Sequence, residues 1–315
     1  MIKDASDGSG ILKKEEKNLQ ENIKQKQNPE DIKSPGTLYL VATPIGNLGD
    51  ITLRAIETLK IVDVIAAEDT RQTLKLLNHF EIKKPLVSYY EHNKNIKGGY
   101  ILKMLSEGKN VALVSDAGSP GISDPGEDMV KLAVENGINV TMVPGAVAAV
   151  TGLVLSGLAT GRFVFEGFLP MNKRARKERI NFLVDEVRTI ILYEAPHKLI
   201  YTLKELLQIL GDRNIALARE LTKRYEQIIR CKLLEAVEMY TNEPPRGEYV
   251  IIIEGIPEQS LILEKRHEWD EMSTEEHVQL YINQGMDKKS AIKQAAQDRG
   301  VSRRDVYNSL LDKNE

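Results

Sequence analysis

The sequence predicts an α/β protein made of two α/β domains, each with a β-sheet covered by helices, and a small helical tail. Its 315 residues exceed what one hydrophobic core usually organises. From residue 37 onward, short β-branched runs bounded by Gly, Pro or Asp alternate with amphipathic helical stretches, which indicates sheets covered by helices. Beyond residue 257 only helical periodicity remains.

The first domain, residues 36–158, is predicted to contain a mostly parallel sheet. Apolar residues recur at helical spacing between its strands, as at Leu53, Ile56 and Leu59, and a helix between two strands is typical of parallel pairing. The predicted strands are 38–42, 62–66, 86–89, 111–114 and 140–143.

The second domain, residues 159–256, is predicted to contain a mixed sheet. Helices are expected over 173–184 and 198–210, but the last three strands follow one another with little predicted helix between them. Antiparallel neighbours are therefore expected in this sheet. The predicted strands are 163–165, 189–193, 215–218, 227–229 and 249–253.

The two ends of the chain differ from these domains. Residues 1–35 are rich in Lys, Glu, Asn and Gln, which predicts a disordered extension. In the tail, residues 257–315, Ser273 and Glu276 have capping-box spacing, and Gly300 separates two helical stretches. This pair resembles a helix-turn-helix that either reads or grips nucleic acid; a dimer-supporting element or a lid is an equal alternative.

Composition narrows the classes of function. The chain has no run of about 18 apolar residues and no signal-peptide layout, so a cytoplasmic protein without a membrane span is expected. A single cysteine, Cys231, excludes an internal disulfide, and the five histidines show no ligand spacing, so no metal site is predicted.

Nucleic-acid binding would depend on local basic patches, because the net charge is −3. Two patches are candidates for phosphate contacts, although a solvated helix face explains such charges equally well. One contains Lys173, Arg174, Arg176, Lys177 and Arg179, and the other contains Lys288, Lys289, Lys293, Arg299, Arg303 and Arg304.

Three glycine-rich segments, 43–50, 116–126 and 144–149, follow predicted strands. The carboxyl ends of strands in an open α/β sheet form the binding crevice, and glycine allows the backbone to approach a ligand, so we expect one pocket there rather than three ordinary turns. Neither a P-loop nor a GxGxxG fingerprint is present. A small ligand held by backbone amides and small side chains is therefore predicted.

These segments, with four others in the same order, resemble the tetrapyrrole methylase superfamily. Within it they are similar to the bacterial enzymes that methylate the ribose 2′-hydroxyl of a cytidine in small-subunit (16S) ribosomal RNA near the decoding centre. The resemblance runs from about residue 36 to 255 and departs at Ala146-Val147, where relatives commonly carry Pro-Ser. The segments are VATPIGNLGD (41–50), AAEDTR (66–71), VSDAGSPGISDPG (114–126), VPGA (143–146), FEGFLP (165–170), LYEAPH (192–197) and ARELTK (218–223).

The resemblance implies that S-adenosylmethionine binds folded in the cleft between the two domains of a homodimeric enzyme. A capping role for Asp116 and core packing of Phe168 and Tyr193 are the alternatives. The cofactor residues that it implies are Pro44, Asp116, Ser119, Val147 and Ala148 from the first domain and Phe168, Tyr193, Glu194 and Ala218 from the second.

Methyl transfer to a hydroxyl needs a proton acceptor, and we assign this role to Glu68, with Asn47 and Arg71 orienting the target nucleotide. A structural ion pair that caps the following helix is the alternative for this segment. Two competing functions remain: a superfamily enzyme acting on a tetrapyrrole or a protein side chain, and a non-catalytic nucleic-acid-binding regulator.

Overall fold

The computed structural model describes residues 34–258, 269 and 272–311. The chain folds into two compact units, Met1–Ala148 and Ala149–Glu315. The extension predicted for the N-terminus falls outside the described residues, except for its last two positions.

The first unit contains a five-stranded sheet in the order β3-β2-β4-β1-β5, and every neighbouring pair is parallel. Strands β2 and β4 are buried along their whole length, as strands covered on both faces require. The predicted parallel sheet is confirmed. The strands are β1 (Thr37–Val41), β2 (Val64–Ala67), β3 (Leu86–Ser88), β4 (Val111–Val114) and β5 (Asn139–Val143).

Four helices cover the two faces of this sheet, and β4 shows how its side chains divide between them. Val111 and Leu113 belong to one hydrophobic core, and Ala112 and Val114 to the other, because successive strand residues point to opposite faces. Helices α3 and α4 contribute to the first core, and α1 and α2 to the second. These helices are α1 (Leu53–Ile61), α2 (Thr70–His79), α3 (Lys94–Ser106) and α4 (Gly126–Glu135).

The second unit contains a five-stranded sheet in the order β6-β7-β10-β8-β9. Only β6 and β7 pair in parallel, so the predicted mixed sheet is confirmed. The elements are α5 (Ala148–Ser156), β6 (Phe163–Phe168), α6 (Lys173–Asn181), β7 (Thr189–Glu194), α7 (Pro196–Leu210), β8 (Asn214–Arg219), β9 (Gln227–Lys232), α8 (Leu233–Asn242) and β10 (Tyr249–Ile253).

Helix α8 corrects one sequence expectation, since little helix was predicted between the last three strands. Its buried residues Leu233, Ala236 and Tyr240 are spaced by three and four positions, which is the pattern of a helix that buries one face. They join the core that α7 forms on the sheet. Helix α5 packs closely on β10, where a Cβ on Gly152 would lie 3.2 Å from Val250 Cγ1, which is closer than an ordinary van der Waals contact.

The described tail consists of three helices, α9 (Thr274–Asn283), α10 (Lys288–Arg299) and α11 (Arg303–Leu311), around a small core that includes Val278, Ala291 and Val306. The predicted capping box is present, because Ser273 and Glu276 exchange hydrogen bonds at the start of α9. Gly300 ends α10 in the left-handed conformation, with a φ of 66°. Within the described residues no helix is both long enough and apolar enough to cross a membrane.

Candidate active site

The carboxyl ends of three neighbouring strands, β2, β4 and β1, carry most candidate residues of the first unit. The loops after β1 and β4 are joined there by two backbone hydrogen bonds. Thr43 N–H donates to the Gly118 carbonyl at 2.8 Å, and Gly118 N–H donates to the Thr43 carbonyl at 3.1 Å. Gly118 has a φ of 82°, a conformation that favours glycine. The two glycine-rich loops therefore form one connected surface.

A cavity of about 400 Å³ opens beside these loops, a size common for small-molecule sites. The loop after β1, helix α2 and the loop after β4 form its wall. Two predicted cofactor residues, Pro44 and Asp116, line this cavity, whereas Ser119, Val147 and Ala148 do not. Its lining residues are Thr43, Pro44, Gly46, Leu48, Gln72, Thr73, Lys75, Leu76, Ser115 and Asp116.

Glu68 directly follows β2 and lies among other carboxylates. Partial burial, and then the negative charges of Asp116 and Asp124, raise the pKa of its carboxyl group above the usual value. A hydrogen bond from the Asp116 backbone acts in the opposite direction but does not cancel these effects. A carboxylate with a raised pKa is a better proton acceptor, so this environment suits the base that the sequence suggests.

Asp69 and Arg71 form the ion pair that the sequence offered as an alternative to a catalytic role. Asp69 caps α2 by accepting a hydrogen bond from the Arg71 backbone N–H at 2.8 Å. The Arg71 guanidinium binds the same carboxylate through contacts of 3.0 and 2.7 Å, and these bonds lower the pKa of Asp69 to about 2. The Arg71 side chain is 86% exposed. It can reach a substrate, but its charge is already balanced.

Asn47 caps the short 3₁₀ turn Leu48–Asp50, because its side-chain oxygen accepts a hydrogen bond from Gly49 N–H at 2.9 Å. Asn47 is exposed and stands between two residues that line the cavity, Gly46 and Leu48, although it does not line the cavity itself. Its capping contact uses only the side-chain oxygen. The amide NH₂ group therefore remains able to donate to a nucleotide.

The loop after β4 is held rigid by Asp124, whose carboxylate accepts hydrogen bonds from Gly121 N–H at 2.8 Å and from Gly126 N–H at 2.7 Å. A Cβ on Gly126 would lie 2.6 Å from the Gly121 nitrogen, so glycine is required for this turn. Across the chain segments that the structure describes, no three His, Cys, Asp or Glu side chains gather closely enough to hold a metal ion.

Ser119 has a hydroxyl group that is free to bind a ligand. Its hydroxyl is buried, yet it has no hydrogen-bond partner among the described residues. A buried hydroxyl without a partner costs stability, so a bound polar group at this atom would offset that cost. The amino-acid end of S-adenosylmethionine offers both donors and acceptors. The residues present therefore fit this cofactor.

Val147 and Ala148 follow β5, the strand beside β1, and are half-buried. They do not line the cavity beside Pro44 and Asp116. The preceding Gly145 lies so close to the end of β1 that a Cβ on it would be 2.8 Å from the Ala42 Cβ. The third glycine-rich segment therefore also approaches the carboxyl edge of the sheet.

In the second unit, Phe168 and Tyr193 are neighbours on the paired strands β6 and β7, with ring centroids 5.6 Å apart. The Tyr193 hydroxyl accepts a hydrogen bond from Ala149 N–H at 3.0 Å, and burial raises the pKa of this tyrosine. Tyr193 thus has a packing role, as the alternative interpretation expected. Phe168 is 54% exposed and presents an apolar ring at the surface of this unit.

Glu194 and Ala218 are buried in the second unit. The Glu194 carboxylate accepts hydrogen bonds from the Thr202 hydroxyl and from Ala195 N–H, and the Arg176 guanidinium lies 3.6 Å from it. Ala218 has no exposed surface. Contact of these two residues with the cofactor stays a prediction.

The basic patch on α6 is largely neutralised by neighbouring carboxylates, which favours the solvated or structural interpretation of its charges. Of its five cations, only Lys173 and Lys177 form no ion pair within the described part of the chain. The pairs are Arg174 with Glu178, Arg176 with Glu194 and Glu205, and Arg179 with Glu166.

Gln72 and Lys75 are part of the cavity wall, but they were not predicted as site residues from the sequence. They lie three positions apart on α2, and Lys75 Nζ donates a hydrogen bond to the Gln72 side-chain oxygen at 3.2 Å. A signal for them was available, because α2 begins directly after Glu68 and Asp69. Together they give the cavity a polar, positively charged side.

This fold is that of an α/β methylase. Residues 37–237 match the family model described as Tetrapyrrole (Corrin/Porphyrin) Methylases, and the chain belongs to this family. The resemblance drawn from the motifs and the predicted fold class are therefore confirmed. As a member of this family, the chain is a methyltransferase that uses S-adenosylmethionine as its methyl donor.

Named relatives are similar to this chain over most of its length. The chain is 50% identical over 286 residues to "Ribosomal RNA small subunit methyltransferase I" of Halalkalibacterium halodurans, covering 91% of this chain and 98% of the relative. It is 50% identical over 274 residues to the Bacillus subtilis protein of the same name, covering 87% and 94%.

Among solved structures, the native form of uroporphyrin III C-methyl transferase from Thermus thermophilus is similar, with a TM-score of 0.53 and 21% identity. The similarity covers 70% of this chain and 97% of that one. At this level of identity the structural comparison supports the fold alone.

Proposed function

We propose that this chain transfers a methyl group from S-adenosylmethionine to the ribose 2′-hydroxyl of a cytidine in small-subunit ribosomal RNA, near the decoding centre. Two relatives with 50% identity carry names that specify methylation of small-subunit ribosomal RNA. The cytidine, its 2′-hydroxyl and its position rest on the motif resemblance.

The observation that carries the proposal is the position and environment of Glu68. It follows β2 at the edge where the cavity opens, and its pKa is raised by burial and by the charges of Asp116 and Asp124. A ribose hydroxyl is a poor nucleophile, so an acceptor for its proton assists the reaction. Glu68 supplies that acceptor: it does not line the cavity itself, but it interacts with Asp116, which does.

S-adenosylmethionine, when bound, supplies a methyl carbon activated by the neighbouring sulfonium. Methyl transfer to the ribose oxygen would leave S-adenosylhomocysteine, and Glu68 would accept the proton that the hydroxyl loses. The reaction needs no covalent intermediate with the protein and no metal, so positioning supplies most of the catalysis.

The chain's own residues account for this positioning in our proposal. The backbone N–H of Asp116 orients the Glu68 carboxylate. The Ser119 hydroxyl binds a polar group of the cofactor, and Gln72 and Lys75, which line the cavity, hold the incoming nucleotide. Asn47 donates to the nucleotide through its amide, and Arg71 provides an exposed cation near it.

Other parts of the proposal rest on the sequence: the cytoplasmic location on its composition, and the homodimer, the RNA partner and the remaining cofactor residues on the resemblance. The enzyme is proposed to act as a homodimer in the cytoplasm, with the small ribosomal subunit or its RNA as partner. Val147, Ala148, Phe168, Tyr193, Glu194 and Ala218 remain predicted cofactor residues.

The decisive experiment is transfer of labelled methyl groups to small ribosomal subunits purified from a strain that lacks the gene. We expect label on RNA, and nuclease mapping should place it on the ribose of one cytidine. Label on protein, or on an added porphyrinoid instead of RNA, would overturn the assignment. A calorimetric titration with S-adenosylmethionine tests the regulator alternative, because a non-catalytic nucleic-acid binder has no need to bind this donor.

A further inference from the structure

The tail carries an exposed basic surface that methyl transfer does not explain. Between residues 287 and 311, six basic side chains stand against three acidic ones, although the whole chain has a net charge of −3. We infer that this surface binds the phosphates and an unpaired base of the RNA substrate, an inference that rests on the proposed function. The tail surface consists of Lys289, Lys293, Arg303, Arg304 and Tyr307.

The acidic side chains of this segment are used inside the tail. Asp287 and Asp305 cap helices, and Asp298 binds side chains in the interior of the tail, so all three carboxylates already have hydrogen-bond partners. Asp287 accepts hydrogen bonds from the N–H groups of Lys289 and Ser290, Asp298 from Tyr281 and Gln294, and Asp305 from the N–H of Ser302. The four cations of the tail surface, by contrast, form no ion pair with any residue that the structure describes.

The arrangement of the tail surface suits single-stranded RNA. Lys289 and Lys293 lie four residues apart on α10, and Arg303 and Tyr307 lie four residues apart on α11, so each pair shares a helix face. All four side chains are exposed, and Tyr307 is 52% exposed. Cations that follow the phosphates and an aromatic ring that stacks on a base are the two elements of single-strand recognition.

The contrast with α6 makes the tail the better candidate of the two basic patches. On α6 three arginines are bound by carboxylates, and Arg176 is buried. Binding of a phosphate to these arginines would require the pairs to break, whereas the cations of the tail surface need only lose water. Phosphate neutralisation dominates affinity for nucleic acid, so unpaired cations are the ones that contribute.

The test compares two full-length variants that lose the same charge. The tail variant is K289Q/K293Q/R303Q/R304Q, and the control K60Q/K83Q/K131Q/K204Q removes four exposed lysines that belong to neither basic patch. The probe is a stem-loop RNA with the small-subunit sequence and an unpaired loop, titrated at several salt concentrations. We expect the tail variant to bind at least about tenfold more weakly, while the control stays within about twofold.

Two further measurements distinguish phosphate contacts from base stacking: the salt dependence of RNA binding by the tail variant, and RNA binding by Tyr307→Ala. For the tail variant, the slope of log affinity against log salt should decrease by about 0.7 for each lost phosphate contact. Tyr307→Ala should weaken binding to the loop RNA by about tenfold without changing this slope, and should leave binding to a fully paired duplex unchanged.

Circular dichroism and calorimetry with S-adenosylmethionine establish that each variant is folded and still binds the cofactor. Equal RNA affinity of the tail variant and the control would overturn the inference. Loss of binding to intact subunits with unchanged RNA binding would also overturn it, because the partner would then be protein. Failure of the unaltered chain to methylate subunits would instead overturn the proposed function.

Discussion

The carboxylate of Asp116 accepts a hydrogen bond of 2.9 Å from the backbone N–H of Asp69. This bond joins the loops that follow the neighbouring strands β4 and β2. The backbone of Asp116 also hydrogen-bonds to Glu68, the residue before Asp69. A residue predicted to contact the cofactor therefore also sets the position and the charge environment of the proposed base.

Replacement of Glu68 by glutamine should lower the rate of methyl transfer by roughly 10²- to 10⁴-fold, because the amide cannot accept the proton. Affinity for S-adenosylmethionine, measured by calorimetry, should stay within about twofold. The matched control is Glu135→Gln, which alters an exposed carboxylate on α4 and should leave the rate unchanged. Unchanged activity in Glu68→Gln would remove Glu68 as the base.

Glu68→Gln should also leave the fold intact. Because the folded-state pKa of Glu68 is raised, its contribution to stability is present below the ordinary value of 4.5 and is lost as the pH rises through the raised value. At pH 7 the charged carboxylate therefore lowers stability, and the glutamine variant should unfold at the same or a higher temperature. A clear fall in the melting temperature of this variant at pH 7 would contradict a raised pKa of Glu68 in the folded protein.

Asp116→Asn should shift the pH dependence of the reaction. The negative charge of Asp116 helps to raise the pKa of Glu68, so its removal should lower that pKa. The base must be unprotonated, and the acid limb of the kcat profile should therefore move to lower pH. The asparagine oxygen can still accept the hydrogen bond from Asp69. An acid limb that stays in place, or moves to higher pH, would argue against electrostatic coupling between these two residues.

Ser119→Ala should weaken cofactor binding without lowering the stability of the protein. The Ser119 hydroxyl has no partner within the described residues, so its removal should leave the free energy of unfolding unchanged or slightly higher. If this hydroxyl binds the cofactor, the Kd for S-adenosylmethionine should rise by about three- to tenfold, the equivalent of one hydrogen bond. Lower stability together with unchanged cofactor affinity would show that the hydroxyl serves the fold.

Arg176→Gln should destabilise the second unit by about 3–5 kcal/mol, because it leaves the buried Glu194 and the largely buried Glu205 without their positive partner. Arg174→Gln, on the same helix but at an exposed ion pair, should change stability by less than about 0.5 kcal/mol. Urea unfolding of both variants measures the difference. Equal effects would contradict the distinction between the structural and the solvated cations of α6.

Much of the architecture could be predicted from local pattern. Strands β4 and β10 have the predicted bounds, and the parallel first sheet and the mixed second sheet follow the predicted arrangement. Strand alternation and turn residues are local signals, so short windows are sufficient to detect them. Helix α8 was not predicted, although its apolar residues have helical spacing, because it is short and lies between two segments with clear strand patterns.

The site could be predicted only in part. Sequence order placed Pro44, Glu68 and Asp116 at strand ends, and these ends are adjacent because β1, β4 and β2 are neighbours in the sheet. Gln72 and Lys75 emerged only from the structure, since the wall of a cavity depends on which helix face turns toward it.

The sequence by itself determined the class of this protein, its family and the strand ends where its chemistry is proposed to occur. Only the tertiary structure decided which charged residues are available to a ligand. The cations of α6 and of the tail look alike as sequence, but carboxylates from distant positions, such as Glu166 and Glu205, neutralise Arg179 and Arg176. Ion pairing acts through space over a few ångströms, and the chain segments that meet at that distance are set by the fold.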